Sequence, residues 1–149
     1  MRPRPPAAVV FDMDGVLIDS EAAWRQVEDD YLRRIAPGYE AKHHAQIVGL
    51  RLRDLHALVR ARFGATVGWD AFRAHYDAAG QDVYGRRTRL LRGARRTLTA
   101  LHGAGIPLGL ASSSPHAWIG ATLERFDLKR FFGAVVSGED VPRGKPAPD

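Results

Sequence analysis

Three short apolar runs, each ending in polar residues, constrain the fold of this chain more than any other feature of its sequence. They are AAVVFD at 7–12, IPLGLASS at 106–113 and AVVS at 134–137. A long stretch of helical character separates the first run from the second, and a shorter one separates the second from the third. The order strand, helix, strand predicts βαβ units and a parallel sheet. We therefore predict an α/β fold whose functional residues lie at the carboxyl ends of the strands.

The stretch between the first two runs predicts a small helical insert. Its first helix is indicated by apolar residues at helical spacing, namely Trp24, Val27, Tyr31 and Ile35. Ser20 stands where it can cap this helix, and Ser114 with Pro115 indicates the start of the last helix. Further helical pieces are predicted between residues 40 and 88, one of them interrupted at Gly80.

Length and composition place the chain among ordinary globular proteins. It has 149 residues, of which 45% are apolar and 26% charged, so a packed domain is expected rather than disorder. It contains no Cys, which excludes disulfides and thiolate metal sites. No apolar run is long enough for a transmembrane helix or a secretory signal, so we expect no membrane partner and a cytoplasmic location. The sequence does not indicate an oligomeric state.

The net charge of +5 comes mainly from arginine. Six of these side chains crowd into one stretch: Arg86, Arg87, Arg89, Arg92, Arg95 and Arg96. A patch of this kind can attract nucleic acid or phosphate, or it can be the solvent-exposed start of a helix. No aromatic or glycine pattern of a nucleic-acid module accompanies it, so we expect no nucleic-acid partner.

Asp12 and Asp14 follow the first predicted strand and suit phosphoryl transfer. One carboxylate can attack phosphorus, and a second carboxyl can protonate the leaving oxygen and then activate water. A divalent cation would bring the two anions together, and hard oxygen ligands suit Mg²⁺. Lys145 and Ser112 could stabilise the transferring group. Such an aspartate pair is also common in loops and in other magnesium enzymes.

Three motifs together resemble those of the haloacid-dehalogenase superfamily of phosphatases. FDMDGVLIDSE resembles the first motif, GLASSS the second and GKPAPD the third, and they occur in the family's order. The resemblance spans almost the whole chain. It implies a Rossmann-like parallel core formed by residues 7–17 and 90–149, with a helical cap at 18–89 inserted after the first strand.

The resemblance also implies roles for individual residues. Asp12 would be the nucleophile and a Mg²⁺ ligand. Asp14 would be the general acid and base and would lend its backbone carbonyl to the metal. Ser112 and Ser113 would hold the phosphoryl oxygens, and Lys145 would stabilise the negative charge. The alternatives are a helix-cap network for Ser112 and an exposed loop charge for Lys145.

Within the superfamily, DSEAAW and VGLRLRD resemble segments of the hexitol-phosphate and 2-deoxyglucose-6-phosphate phosphatases. The resemblance implies hydrolysis of a small sugar or polyol phosphate through an aspartyl phosphate. The related β-phosphoglucomutases usually carry a histidine near Trp24, and its absence favours hydrolysis over a phosphomutase reaction. Glu21, Trp24 and Arg51 are candidate substrate contacts. Trp24 could instead belong to the helix core, and Arg51 could be an ordinary surface residue.

The sequence departs from the family in one respect. The family has a fourth motif, with acidic residues after a further strand, and nothing follows Asp149. We expect the strand at 7–12 to form an exposed edge as a result. Two hypotheses follow: the residues are a fragment of a longer active phosphatase, or the chain is catalytically inactive. A non-catalytic module that binds anionic partners is a further alternative.

Overall fold

The computed structural model describes residues 6–149 and contains a parallel sheet flanked by helices. In chain order the strands are β1 (Val9–Phe11), β2 (Ile18–Asp19), β3 (Arg89–Leu90), β4 (Leu108–Ser112) and β5 (Ala134–Ser137). The helices are α1 (Glu21–Ile35), α2 (Leu52–Phe63), α3 (Trp69–Asp82), α4 (Ala94–Gly103) and α5 (His116–Arg125). Short 3-10 helices span Ala41–Gln46 and Lys129–Phe131, and a π-helical turn spans Val83–Arg87. The predicted α/β fold is confirmed.

The main sheet has the order β1-β4-β5, and both of its pairings are parallel. The register pairs Phe11 with Leu110 and Ser112 with Ser137. The carboxyl ends of all three strands therefore lie along one edge, where the polar residues that follow them meet. This edge is the one that the sequence predicts for a ligand site.

The helical insert leaves and rejoins the sheet domain through a second, two-stranded sheet. In it, β2 pairs antiparallel with β3, so that Ile18 lies opposite Leu90 and Asp19 opposite Arg89. The sequence did not predict these two-residue strands, because they are too short to give an alternating pattern. The boundaries that we predict for the cap fall at this ribbon, and the division into core and cap stays a prediction. Among residues 6–149 no helix is long and apolar enough to cross a membrane.

The hydrophobic core is continuous from the sheet into the insert. Under the sheet it contains Leu98, Leu110, Ile119 and Leu128, each at most 2% exposed. In the insert it contains Leu32, Leu55, Val59 and Phe72, also at most 1% exposed. Met13, Leu17 and Ile18 are equally buried and lie in the first-motif loop between the two regions. Packing on both sides therefore fixes the position of this loop.

The first strand lies at an edge of the sheet, as the sequence predicts. Within the described residues β4 is its one sheet partner. Val10 on this strand is 68% exposed, which is high for a valine in a strand. Within the described residues this edge therefore carries an apolar side chain and has no strand paired with it.

The interruption that we predict at Gly80 is wrong. Helix α3 continues through this residue to Asp82. Gly80 is buried, and a Cβ placed on it would lie 2.3 Å from the indole Nε1 of Trp118. The glycine allows α3 to approach α5 closely and does not break the helix.

A methyl group at this contact provides a test of the packing between α3 and α5. We expect Gly80→Ala to lower the free energy of unfolding by about 1–3 kcal/mol, because the methyl group overlaps an indole ring that cannot move away. Trp118 is only 6% exposed and packs against Trp24 and Tyr84. The quantity to measure is the midpoint of urea unfolding.

Gly120 in α5 supplies the matched control. A Cβ on Gly120 would meet no atom within 4 Å, so Gly120→Ala gains helix propensity without overlap. We expect it to stabilise the protein by up to about 1 kcal/mol. An equal gain in stability from both substitutions would contradict the close approach at Gly80.

Candidate active site

A cavity of about 480 Å³ lies between the carboxyl edge of the main sheet and the insert helices. Its size lies within the usual range for small-molecule sites. Seven of the eight residues that we predict for the site line it: Asp12, Asp14, Glu21, Trp24, Ser112, Ser113 and Lys145. Residues from three distant parts of the sequence therefore meet around one space.

Asp12 presents its carboxylate at the end of β1. The Nζ of Lys145 donates a hydrogen bond of 3.0 Å to Asp12 Oδ1 and another of 2.9 Å to the carbonyl of Ala111. The backbone N–H of Met13 donates to the same Oδ1 at 2.9 Å. The side chain of Asp12 is 42% exposed, so its carboxylate remains accessible from solvent. The lysine thus ties the third-motif loop to the ends of β1 and β4.

Asp14 is held in a different environment. Three hydroxyl groups donate hydrogen bonds to its carboxylate: Ser20 to Oδ1 at 2.5 Å, Tyr84 to Oδ1 at 2.9 Å and Ser114 to Oδ2 at 2.9 Å. The donors come from the start of α1, the π-helical turn after α3 and the segment after β4. Both carboxylate oxygens of Asp14 are therefore engaged.

Burial raises the pKa of the Asp14 carboxyl above its ordinary value. The three hydroxyl donors lower this pKa, and the nearby charge of Asp12 raises it, so burial outweighs the hydrogen bonds. Two aspartates two positions apart thus have contrasting surroundings, one beside a cation and open to solvent, the other enclosed. In many active sites, such a difference in surroundings allows one carboxyl group to act as an acid and the other as a nucleophile.

The hydroxyl groups around Asp14 correct two of our capping predictions. Ser20 occupies the N-cap position of α1, but its hydroxyl makes no capping hydrogen bond and donates to Asp14. Ser114 precedes the N-cap of α5, which is Pro115, and its hydroxyl also donates to Asp14. A buried carboxylate offers these hydroxyls a stronger partner than an amide at a helix end.

Tyr84 extends this network into the insert. Its hydroxyl accepts a hydrogen bond of 3.0 Å from the indole Nε1 of Trp24 and donates to Asp14. The Trp24 ring packs on Tyr76, Tyr84 and Trp118 at centroid distances of 4.8–5.9 Å. Trp24 therefore belongs to the aromatic core of the insert and also lines the cavity, and its contact with a substrate stays a prediction.

Ser112 and Ser113 lie at the end of β4, beside the first motif. The backbone N–H of Ser114 donates to Ser112 Oγ at 3.1 Å. That bond uses an acceptor lone pair and leaves the hydroxyl proton of Ser112 available to a ligand. Gly138 packs closely behind this segment, since a Cβ there would lie 2.7 Å from the carbonyl oxygen of Ser113.

Arg51 is the one predicted site residue that does not line the cavity. Its guanidinium group pairs with Asp54, at 2.5 Å from Nε to Oδ2, and donates to the carbonyls of Val141 at 2.7 Å and Pro142 at 2.8 Å. Arg51 thus joins the insert to the loop after β5. The role that the structure supports for it is to hold this loop and the insert together.

The first-motif aspartates fit Mg²⁺ by the chemistry of their donor atoms. Mg²⁺ usually keeps several waters and is held by one or two carboxylates together with substrate phosphate. Asp12 offers an accessible carboxylate of this kind, whereas the side-chain oxygens of Asp14 are engaged by hydroxyls. Residues 6–149 contain no cluster of three or more His, Asp or Glu side chains that could hold a metal.

Three further polar residues line the cavity on the insert side, and sequence reasoning missed them. They are Glu28 of α1, His44 of the first 3-10 helix and Tyr76 of α3. Burial, with the charge of Asp29 adding to it, raises the pKa of Glu28 to about 8. Burial lowers the pKa of His44. Neither residue belongs to a motif, and only the tertiary packing brings them to the cavity.

Comparison with known proteins identifies the family. The family model described as haloacid dehalogenase-like hydrolase matches residues 9–149. The chain belongs to this family. The match covers the sheet, the insert and all of the residues placed around the cavity.

Individual relatives of this haloacid dehalogenase-like hydrolase act on phosphate esters, according to their descriptions. The chain is 30% identical over 146 residues to the phosphorylated carbohydrates phosphatase of Thermotoga maritima, covering 95% of this chain and 66% of that protein. It is 32% identical over 158 residues to hexitol phosphatase B of Escherichia coli K12, covering 98% and 67%. A family hydrolase from Deinococcus radiodurans, solved with bound phosphate and sodium, matches with TM-score 0.60 and 28% identity, covering 96% and 63%. The chain thus spans about two thirds of the length of these relatives.

The arginine-rich stretch is partly neutralised by acidic side chains of the insert. Arg86 and Arg87 pair with Asp82, at 3.1 and 3.9 Å, and Arg89 lies 3.8 Å from Asp19. These are exposed ion pairs of small energy. They leave less free positive charge than the sequence alone indicates. The absence of a nucleic-acid partner stays a prediction.

The pKa of Glu28 has a consequence for stability. Between its ordinary value of 4.5 and the value of about 8 in the fold, the folded chain keeps a proton that the unfolded chain releases. The free energy of unfolding therefore falls as pH rises through this window, by up to about 1.4 kcal/mol per pH unit. We expect Glu28→Gln to lack this decline, so that the variant becomes increasingly more stable than the parent toward pH 8. Urea unfolding across the window measures the difference.

Glu21→Gln is the control for this experiment, because it removes an exposed carboxyl from the same helix. It should follow the pH dependence of the parent protein. Parallel stability curves for the parent and Glu28→Gln would show that Glu28 does not hold its proton as the burial requires.

Proposed function

We propose that this chain carries the phosphoryl-transfer centre of a phosphatase that hydrolyses a small sugar or polyol phosphate. The observation that carries the proposal is the meeting of three motifs at one cavity, where Lys145 Nζ lies 3.0 Å from Asp12 Oδ1 and Ser112 lies beside them. Membership of a hydrolase family supports it, and so do relatives described as a phosphorylated carbohydrates phosphatase and a hexitol phosphatase.

In the first half-reaction, a carboxylate oxygen of Asp12 attacks phosphorus and the bond from phosphorus to the leaving oxygen breaks. The product is an aspartyl phosphate on Asp12. The carboxyl of Asp14 gives its proton to the leaving oxygen, which departs as an alcohol. Burial supports this role, because it raises the pKa of Asp14 and so favours the protonated form that an acid needs.

In the second half-reaction, water attacks the phosphorus of the aspartyl phosphate. Asp14, now a carboxylate, accepts a proton from that water, and the bond from phosphorus to the Asp12 oxygen breaks. Inorganic phosphate leaves and both aspartates return to their starting states. Throughout, Ser112, the backbone after it at Ser113 and the ammonium group of Lys145 stabilise charge on the phosphoryl oxygens.

We propose Mg²⁺ as the cofactor, held by Asp12 and by the backbone carbonyl of Asp14. The ion would supply positive charge that reduces the repulsion between Asp12 and the incoming phosphate. The partner that we propose is the small phosphorylated substrate, and the cytoplasm stays the predicted location.

A phosphomutase is the alternative reaction, and it would use the same aspartyl phosphate but return the phosphoryl group to the sugar. Trp24 argues against it, because its indole Nε1 is fully used in a hydrogen bond to Tyr84 and offers no base to the substrate. Release of inorganic phosphate as the main product distinguishes hydrolysis from transfer of the phosphoryl group back to the sugar.

The nucleophile assignment makes a sharp prediction for Asp12→Asn. An amide cannot attack phosphorus, so we expect turnover of sugar and polyol phosphates to fall by at least about a thousandfold. Phosphate release is the measurement. Asp19→Asn is the matched control, since Asp19 lies on β2 outside the cavity lining. Appreciable residual turnover in Asp12→Asn would refute the assignment.

Metal dependence is tested separately. We expect EDTA to reduce phosphate release to background, because nothing then offsets the repulsion between carboxylate and phosphate. Addition of Mg²⁺ in excess of the chelator should restore it. Turnover that persists through chelation would rule out the cofactor that we propose.

A further inference from the structure

The insert contributes a group of polar side chains to the cavity, at a part of it that none of the three motifs supplies. Glu28, His44 and Tyr76 come from three different helical segments and line the same space as Asp12. Their exposed fractions are small: 12% for the Glu28 side chain, 8% for the His44 side chain and 1% for Tyr76. Polar groups so deeply buried usually have hydrogen-bond partners.

Two of the three have atoms without partners. His44 Nδ1 and the hydroxyl of Tyr76 are buried and make no hydrogen bond within the described residues. His44 Nδ1 lies 3.8 Å from Glu28 Oε2, which is too far for a direct hydrogen bond. A ligand hydroxyl can therefore bond to either residue without breaking a bond between them. The group therefore keeps hydrogen-bonding capacity that the fold itself does not use.

The charge state of this group points to an uncharged ligand. The raised pKa of Glu28 and the lowered pKa of His44 both favour the neutral forms. Among the described residues that line the cavity, Lys145 is the only Lys or Arg, and it is bonded to Asp12. A second anionic group on a substrate would therefore meet no cation near Glu28. Hydroxyl groups, which both donate and accept, match a neutral carboxyl, an imidazole and a phenol.

The cavity wall beside this group is apolar and can pack against the carbon atoms of a substrate. Trp24, Trp118, Ile47, Leu52 and Leu55 also line the cavity. An apolar wall with a few convergent polar groups is the usual build of a small-molecule site.

We propose that Glu28, His44 and Tyr76 recognise the hydroxyl groups of an uncharged, polyhydroxylated leaving group. The inference rests on the proposed function, since it places the phosphate at Asp12 and the far end of the same molecule at Glu28. It selects polyol phosphates over phosphate esters whose far end carries a carboxylate. It also makes these three residues, rather than Arg51, the specificity determinants on the insert side.

The experiment compares sorbitol 6-phosphate with hexyl phosphate, which has the same carbon number and no hydroxyl groups. Binding is followed by intrinsic fluorescence, because Trp24 and Trp118 line the cavity. We expect Tyr76→Phe to weaken binding of sorbitol 6-phosphate by about five- to tenfold, the effect of one lost hydrogen bond, and to leave hexyl phosphate unchanged. The hydroxyl removed has no partner in the fold, so the unfolding midpoint should not fall.

Glu28→Leu is the second variant, and it should show the same selectivity for sorbitol 6-phosphate. Tyr31→Phe is the matched control, because it removes the hydroxyl of a buried tyrosine that does not line the cavity. Phosphoglycolate, whose far end is a carboxylate, should bind more weakly than sorbitol 6-phosphate.

Three results would overturn the inference: no binding of sorbitol 6-phosphate to the parent protein, equal effects of Tyr76→Phe on both esters, or tighter binding of phosphoglycolate. Phosphate release from the same samples with Mg²⁺ reports on the proposed function by itself. Selective weakening without phosphate release would support the hydroxyl site and contradict the phosphatase activity.

Discussion

The buried carboxylate of Asp14 is the constraint on which the rest of the site depends. A carboxylate removed from water needs donors, and here three hydroxyls supply them, from Ser20, Tyr84 and Ser114. Two of the donors lie near the two ends of the insert, and the third follows β4. All three hydroxyls can reach Asp14 only when the insert lies over the carboxyl edge of the sheet. This arrangement also encloses the cavity, while the carboxylate of Asp12 remains accessible from solvent.

Aromatic packing maintains this arrangement from the insert side. Trp24 stacks on Tyr76, contacts Trp118 at a centroid distance of 4.8 Å and donates to Tyr84, which in turn donates to Asp14. Gly80 allows α3 to approach that cluster. Rigid packing around a polar network fixes the network in one arrangement, as the proton-donor role that we propose for Asp14 requires.

The sequence predicts those features that local patterns carry. Apolar runs identify β1, β4 and β5, and the motifs place Asp12, Asp14, Ser112 and Lys145 at one edge, because parallel strands bring their carboxyl ends together. It does not predict Tyr84, which reaches Asp14 across 70 positions, nor the pocket role of Glu28. Those contacts depend on how the insert helices pack, and helical periodicity identifies a buried face without identifying its partner. For the same reason the sequence predicts helix caps at Ser20 and Ser114, whose hydroxyls donate to Asp14 instead.

The central claim is that Asp12 becomes phosphorylated during turnover, and trapping that species tests it most directly. The chain would be mixed with a polyol phosphate and Mg²⁺, quenched in acid within a turnover, digested and analysed by mass spectrometry. The account predicts a peptide in which Asp12 carries one phosphoryl group, absent from Asp12→Asn. Phosphate release with no phosphoryl group on Asp12 at any quench time would contradict it, since water would then attack the substrate directly.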